Sequence, residues 1–548
     1  MTTHDSFPGL RILNLNDGDD CGFLGTEVSR GQDTHAASLS LLSLVLPTGT
    51  RWIGSTCAVV EGEYVDRNFA IAYARVHARA YRDYPRRTTR IHFFNRQIDF
   101  EDFFDEEGLQ HAYLGYAVLS PVEPVTLGRT YLLPKLQPAT EYVTCARADE
   151  VNLAGNRLRA FGAPFIEQDQ RVSACATAAI WMSTSVIAKN FGEPARSAST
   201  ADITEMACRY SLGSSGGPFP ACGGLSLEQM LWAFHELGLA PVTYRYRDPP
   251  LPNQPPAHLR AHTTIYTHVE SGIPPVLILS LPSAGGNYHA VTLVGHTYDS
   301  SFSPADEALK TGKVSFDSHS WCPRFIGHCD QMGQYLTFEI KPSSKATLGY
   351  PAVAALTGGL PDSLEDAVNE FYDGAVLVRV IGPLLPRTDL APERAAGKGR
   401  LLILKAIIEH FQALGLKLPL QLRYRTYLIA SNEFKRQMNP STLPGLSRDL
   451  SELYRGHPLS RYVWTTELFA DHQQNTPFER LRVLAQAVFE QTSSPDDLDF
   501  ITLRLPGLFF SMPPGLSGRD KVEEVLKKPL SIQNDQLHAP LIRPTPAD

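Results

Sequence analysis

Residues 276 to 295 constrain the fold more than any other stretch of the chain. Val276-Leu277-Ile278-Leu279-Ser280-Leu281 is an apolar run of strand length, and a strand with no polar face has to be covered on both sides. The turn Pro282-Ser283-Ala284-Gly285-Gly286-Asn287 follows, and Tyr288-His289-Ala290-Val291-Thr292-Leu293-Val294-Gly295 then returns. The spacing predicts a hairpin with His289 near its connecting turn.

Helix and strand signals alternate around this hairpin. Residues 175 to 189 are rich in Ala, Ile, Met and Trp and contain no proline, and Asn190-Phe191-Gly192-Glu193-Pro194 supplies a stop. Ser226-Leu227-Glu228-Gln229 is a capping box, and Met230, Leu231, Phe234 and Leu237 give its helix an apolar face that Gly238 closes. Pro241 to Arg247 alternates like a half-buried strand, and a short helix is expected over 263–270. Further strands are read at 313–316 and 325–328.

The chain has 548 residues, which at about 150 residues per domain suggests three or four units. The class expected is α+β: residues 1–150 form an N-terminal domain with a helix over 70–81 and a strand over 112–121, residues 151–343 form the regular central domain, and residues 344–548 form a mixed α/β domain. In the last, 400–414 reads as an amphipathic helix closed by Gly415, Thr476-Pro477-Phe478-Glu479 opens another helix, and 421–429 and 461–467 read as strands. A net charge of −8 argues against nucleic acid or an anionic membrane surface as the main partner. Arg75, Arg79, Arg82, Arg86, Arg87, Arg90 and Arg96 interleave with aromatic residues, but Asp99, Glu101, Asp102, Asp105, Glu106 and Glu107 follow and are expected to neutralise them. No apolar run reaches the roughly 18 residues of a membrane span, and the first residues lack the basic and apolar regions of a signal peptide, so the expected compartment is the cytoplasm.

Eight cysteines, at 21, 57, 145, 175, 208, 222, 322 and 329, are too sparse for a disulfide scaffold. Most are expected to be reduced, buried and apolar in behaviour. Cys21, in Asp19-Asp20-Cys21-Gly22-Phe23, is read as a turn residue. Cys175 differs because it opens a helix, where the positive end of the peptide dipole favours the thiolate and lowers the thiol pKa.

A cysteine opening a helix, a Gly-Leu-Ser-Leu-Glu-Gln helix, a Ser-Gly-Ile-Pro-Pro-Val approach to a buried strand and a hairpin carrying histidine occur in this order between residues 165 and 340. The order resembles the papain-like cysteine peptidases, most closely the bacterial peptidase-like branch that includes the bacteriocin-processing enzymes. The resemblance covers about a third of the chain. It implies Cys175 as nucleophile, His289 as general base, and Gln168, with Gln170 as competitor, as oxyanion donor. The group that orients the histidine is implied to be Asp330, with Asp317 as the alternative; each follows a short strand. Where many relatives have glycine and proline after the nucleophile, this chain has Ala176-Thr177-Ala178.

The chemistry asks for the same parts: an imidazole beside the thiol, a third group on the other ring nitrogen, and preorganised donors for the oxyanion, the Cys175 amide among them. The expectation is a cysteine-dependent hydrolase of peptide or isopeptide bonds, with a peptide or protein substrate and no cofactor. The alternatives are an inactive papain-like module that binds a peptide or protein partner, and an acyl-transferase or deamidase using the same triad. His319, Cys322, His328 and Cys329 have zinc-ligand chemistry, but neighbours on a strand face opposite sides, so no metal is expected there.

Overall fold

A computed structural model describes residues 9–29, 35–122, 125–136, 140–169, 174–191, 197–209, 224–252, 254–285, 287–299, 301, 315–413, 422–441, 443, 445–470, 481–492, 499–513, 519–527 and 529–531. Gln170, Cys222, Gly192 to Pro194, Gly415 and the Thr476 to Glu479 helix start lie outside these residues.

Three sheets and a ribbon are built almost entirely from antiparallel pairs. The first takes its five strands in chain order, Leu10–Asn14, Cys57–Tyr64, Thr88–Phe94, Tyr113–Leu119 and Leu127–Leu132. The ribbon pairs Arg147–Leu153 with Asn156–Gly162, so residue 150 falls within a strand. In the second sheet Val276–Leu281 pairs with the histidine strand Asn287–Thr297, from Val276 opposite Thr292 to Leu281 opposite Asn287. The path continues through Phe325–Cys329, Gly333–Lys341, Ala352–Leu356 and Val376–Leu384 to Ala240–Tyr244. Val376–Leu384 also pairs with Val276–Leu281, so the ladder returns on itself as a ring.

That closure places the expected boundary at 343 inside a sheet. The Val276–Leu281 strand needs a hydrogen-bonding partner at each edge as well as cover on each face, and the chain supplies its second neighbour from residues 376–384. In the third sheet Ser315–Phe316 pairs in parallel with Leu422–Ala430, and Tyr462–Ala470, Arg482–Glu490, Thr502–Leu505, Leu508–Ser511 and Leu530–Ser531 follow. Arg482–Glu490 is therefore a strand where a helix opened at Thr476 would have run. Hydrogen-bonding edges on both sides outweigh a local start signal.

Other boundaries move for local reasons. The helix expected over 70–81 is Arg67–Arg75, begun by Asp66, whose carboxylate accepts the Phe69 amide, and continued by a 3₁₀ turn at His77–Arg79. The helix expected from 263 begins at Ala257, whose amide is capped by Asp248 Oδ1 at 2.9 Å from a preceding loop. The helix expected over 400–414 spans Pro392–Ala413. Cys21 lies within the helix Gly18–Ser29 rather than in a turn, because Asp17 Oδ1 accepts the amides of Asp19 and Asp20 and offsets the glycines that follow. Of the arginines, Arg96 pairs with Asp102 at 2.7 Å as the sequence suggested, while Arg75 is held by Asp202 and Glu205 and Arg90 by Glu61.

The Cys175–Phe191 helix packs against the histidine strand. Its Ala178, Ala179, Ile180, Met182, Val186 and Ile187 are buried, each larger side chain contributing about 1.5–3 kcal/mol. Ser183 Oγ donates to Pro274 O at 2.6 Å, and Thr292 Oγ1 donates to Ala179 O at 3.2 Å, which fixes the helix along the strand. Among the described residues no helix is long and apolar enough to cross a membrane.

Candidate active site

The second sheet brings the His289 imidazole, the Cys329 thiol and the Asp330 carboxyl to one spot, and the helix sets Cys175 near enough to feel the Asp330 charge; among the described residues Cys175 makes no hydrogen bond to His289. Cys175 is the first residue of its helix and is half-buried. His289 is the third residue of its strand and is buried. Asp330 follows directly on the strand Phe325–Cys329 and is wholly buried. The pairing of that strand shifts opposite Leu293–Gly295 and again between Gly327 and Cys329. Such shifts re-aim side chains, and here Cys329 and Asp330, neighbours in sequence, both reach His289.

The imidazole is held on one side only. Nε2 lies 3.2 Å from Cys329 Sγ and 3.5 Å from Asp330 Oδ1, while Nδ1 makes no hydrogen bond among the described residues. The Phe371 ring stands edge-on to the imidazole, with centroids 5.1 Å apart. Cys329 Sγ accepts the Met332 amide at 3.3 Å, and the Tyr372 hydroxyl lies beside the same sulfur. Neither Asp330 oxygen accepts a well-formed hydrogen bond. At Cys175 the amides of Ala290, Ala176 and Cys175 itself point at the sulfur, and Asp330 is close enough for its charge to act on the thiol.

Burial sets the protonation of this cluster. It pulls His289 down to about 4 and pushes Asp330 up to about 8. It also pushes Cys175 up to about 12, with the Asp330 charge adding to the effect, against the pull of the three amides. Cys329 is raised to about 12 for the same two reasons. The lowered thiol pKa expected for Cys175 therefore does not hold in this state, because loss of water around a sulfur in contact with the sheet outweighs the helix terminus. At neutral pH the group consists of two thiols, a neutral imidazole and an Asp330 carboxyl that mostly retains its proton.

The remaining expected residues fall elsewhere. Gln168 is half-buried and has no hydrogen bond among the described residues. Its neighbour Glu167 is buried, accepts the Leu127 amide on Oε2 at 2.7 Å, and is close enough to Asp330 to respond to its charge. Asp317 pairs with Arg400 at 3.2 Å on the surface, so Asp330 is the carboxyl that stands at the imidazole. His319, Cys322, His328 and Cys329 do not converge. His328 Nδ1 faces Pro164 O at 3.2 Å, Cys322 Sγ faces Arg324 O at 3.6 Å, and His319 stacks edge-on to His262.

Sequence reasoning missed Cys329 as a partner of His289, and with it Phe371, Tyr372 and Glu167. Tyr372 ends the helix Asp362–Tyr372, beyond the domain boundary drawn from the sequence. It also lines an open cleft of about 270 Å³, together with Ala352 to Ala355 and Asp373 to Ala375. Nothing in the local sequence at 371–372 signals this meeting; only the closed ladder does. No protein-family model, no curated protein and no solved structure matches this chain.

Proposed function

We propose that the chain is a cysteine-dependent hydrolase of peptide or isopeptide bonds, built on a papain-like plan, with Cys175 as nucleophile, His289 as base and Asp330 as the group that orients it. The observation that carries the reading is the disposition of the His289 ring: Asp330 stands at Nε2 and Nδ1 has no hydrogen bond among the described residues. In this reading Nδ1 takes the proton of the half-buried Cys175 thiol. A base must have one nitrogen free and the other fixed.

Because the resting groups are neutral, the proton moves as the bond forms. The Cys175 sulfur attacks the carbonyl carbon and its proton passes to Nδ1. The carbonyl oxygen, now negative, is met by amides at the helix start, among them that of Cys175. Collapse expels the amine, which takes the proton from the imidazole and leaves a thioester. Water, deprotonated by His289, then releases the acid and restores the thiol. An amine in place of water gives acyl transfer by the same steps. Gln168 is assigned as a further oxyanion donor on the family resemblance alone. The seven free cysteines among the described residues fit a reducing compartment such as the cytoplasm.

The second reading, an inactive module that binds a peptide or protein partner, is favoured by the enclosure and neutrality of the same cluster. Alkylation mapping separates the two. A peptide-based chloromethyl ketone or acyloxymethyl ketone library should label Cys175 selectively, and Cys175→Ala should lower turnover of any cleaved peptide by at least about a thousandfold with an unchanged melting temperature. Cys329→Ser should still be labelled at Cys175. Labelling at Cys329, or none of Cys175 by any member while peptides still bind, would replace the hydrolase with the binding module.

A further inference from the structure

Cys329 has no part in the proposed reaction, yet it is the sulfur in contact with the base. His289, Cys329 and Asp330 offer one nitrogen, one sulfur and one oxygen, all within 4.8 Å of one another. The nitrogen stands 3.2 Å from the sulfur and 3.5 Å from the oxygen. A tetrahedral zinc ion, with bonds near 2.3 Å to sulfur and 2.0–2.2 Å to nitrogen and oxygen, holds its ligand atoms roughly 3.3–3.6 Å apart. All three residues are buried, and both Asp330 oxygens lack a hydrogen-bond partner. An enclosed carboxyl with nothing to bind is unfavourable unless something else satisfies it. The Met332 amide points at the Cys329 sulfur, the support a metal-bound thiolate receives from its surroundings.

We propose that His289 Nε2, Cys329 Sγ and the Asp330 carboxylate form a binding site for a single Zn2+ ion, with one coordination position left over. On binding, the Sγ–H bond of Cys329 is replaced by a sulfur–zinc bond and the proton goes to solvent. Asp330 gives up the proton it mostly holds, which also goes to solvent, and binds as the carboxylate, and the imidazole binds through an unprotonated Nε2. Its remaining proton then sits on Nδ1, the atom that has to be empty to accept a proton from Cys175. Zinc and turnover are therefore mutually exclusive, and the ion acts as a reversible off-switch. Only that last consequence rests on the hydrolase reading; the binding site does not.

The test uses the full chain, stripped with EDTA under reducing conditions and titrated with Zn2+ against a chromophoric chelator. The expected result is one ion per chain, bound at least tenfold more weakly by Asp330→Asn and about a hundredfold more weakly by Cys329→Ser. Cys175→Ala and Cys322→Ser should bind like the parent. Replacement by Co2+ reads the ligands directly, even if Cys329→Ser folds poorly: a thiolate-to-cobalt absorption band in the parent supports the site. No binding, a spectrum without that band, or affinity untouched by Cys329→Ser in a folded protein overturns it. A chain that binds zinc in this way but cleaves nothing keeps the metal site and loses the hydrolase. One that cleaves peptides and ignores zinc does the reverse.

Discussion

Glu167 shows how the interior of this protein sets its response to pH. Burial is the main reason its carboxyl is raised to about 8, partly opposed by the Leu127 amide and reinforced by Asp330. A carboxyl raised above its unfolded value stabilises the fold while it keeps its proton, and that contribution is lost as pH rises through the folded pKa. The buried histidines act in the opposite sense: His92, His268 and His289 are pulled to about 4 and His262 and His328 to about 3, so their contribution is lost as pH falls toward those values. Between roughly pH 6.5 and 8 the folded histidines stay neutral while those of the unfolded chain lose their last protons, a change that parent and Glu167 variant share. Glu167→Gln keeps the acceptor for the Leu127 amide and removes the titration. Over that window, with EDTA present, urea unfolding should show the parent losing about 2 kcal/mol relative to the variant. Parallel stability curves would show that Glu167 is ionised in the folded protein. None of this was legible in the sequence, where Glu167 was only the neighbour of a glutamine.

At the level of elements, the residues that announce themselves in sequence are those whose signal is local. The capping box at Ser226 forms as read, with Ser226 Oγ accepting the Gln229 amide and Gln229 Oε1 accepting the Ser226 amide. The apolar hairpin and the cysteine-led helix also stand where the pattern put them, and they carry His289 and Cys175. The shifts in strand pairing left no such mark, since they depend on what the opposite strand does. Gly327 sits at one of them. A Cβ there would lie 2.7 Å from Leu293 Cδ2 and 2.9 Å from Phe338 Cε2, so Gly327→Ala should overpack the sheet and cost about 1–3 kcal/mol. Because this strand aims Cys329 and Asp330, the same change should weaken the imidazole contacts. Thermal melting together with an NMR titration of His289 would check both effects. An unchanged melting temperature would show that the strand yields at no cost.

On the scale of the molecule, the second and third sheets are joined by charge as well as by apolar packing. Arg425, from the third sheet, donates to Glu270 Oε1 at 2.8 Å and to Glu467 Oε2 at 2.6 Å, and Glu270 also meets His296 Nε2 at 2.9 Å. All four are buried. Burial raises Glu270, and its bonds to His296 and Arg425 more than offset this, so its pKa ends below the ordinary value. Removing one member leaves the others buried without a counter-charge. Arg425→Ala should therefore cost about 3–5 kcal/mol in urea unfolding, and a loss below about 1 kcal/mol would mean that water takes the place of the guanidinium. A network whose members lie 155 residues apart gives no signal in a linear reading, which is also why the domain boundary drawn at 150 cuts a strand and that at 343 divides a sheet.

The ring formed by the second sheet has a consequence for synthesis. Val276–Leu281 leaves the ribosome well before Val376–Leu384, the strand that closes it. At roughly 5–20 residues per second the interval is on the order of 5 to 20 s. Through that time the most apolar strand of the sheet has a bare edge, able to template on a neighbouring nascent chain. Growth of this protein in a cell is thus a race between elongation and aggregation, and slowing translation between codons 281 and 376 should reduce the soluble yield even though the finished molecule is the same.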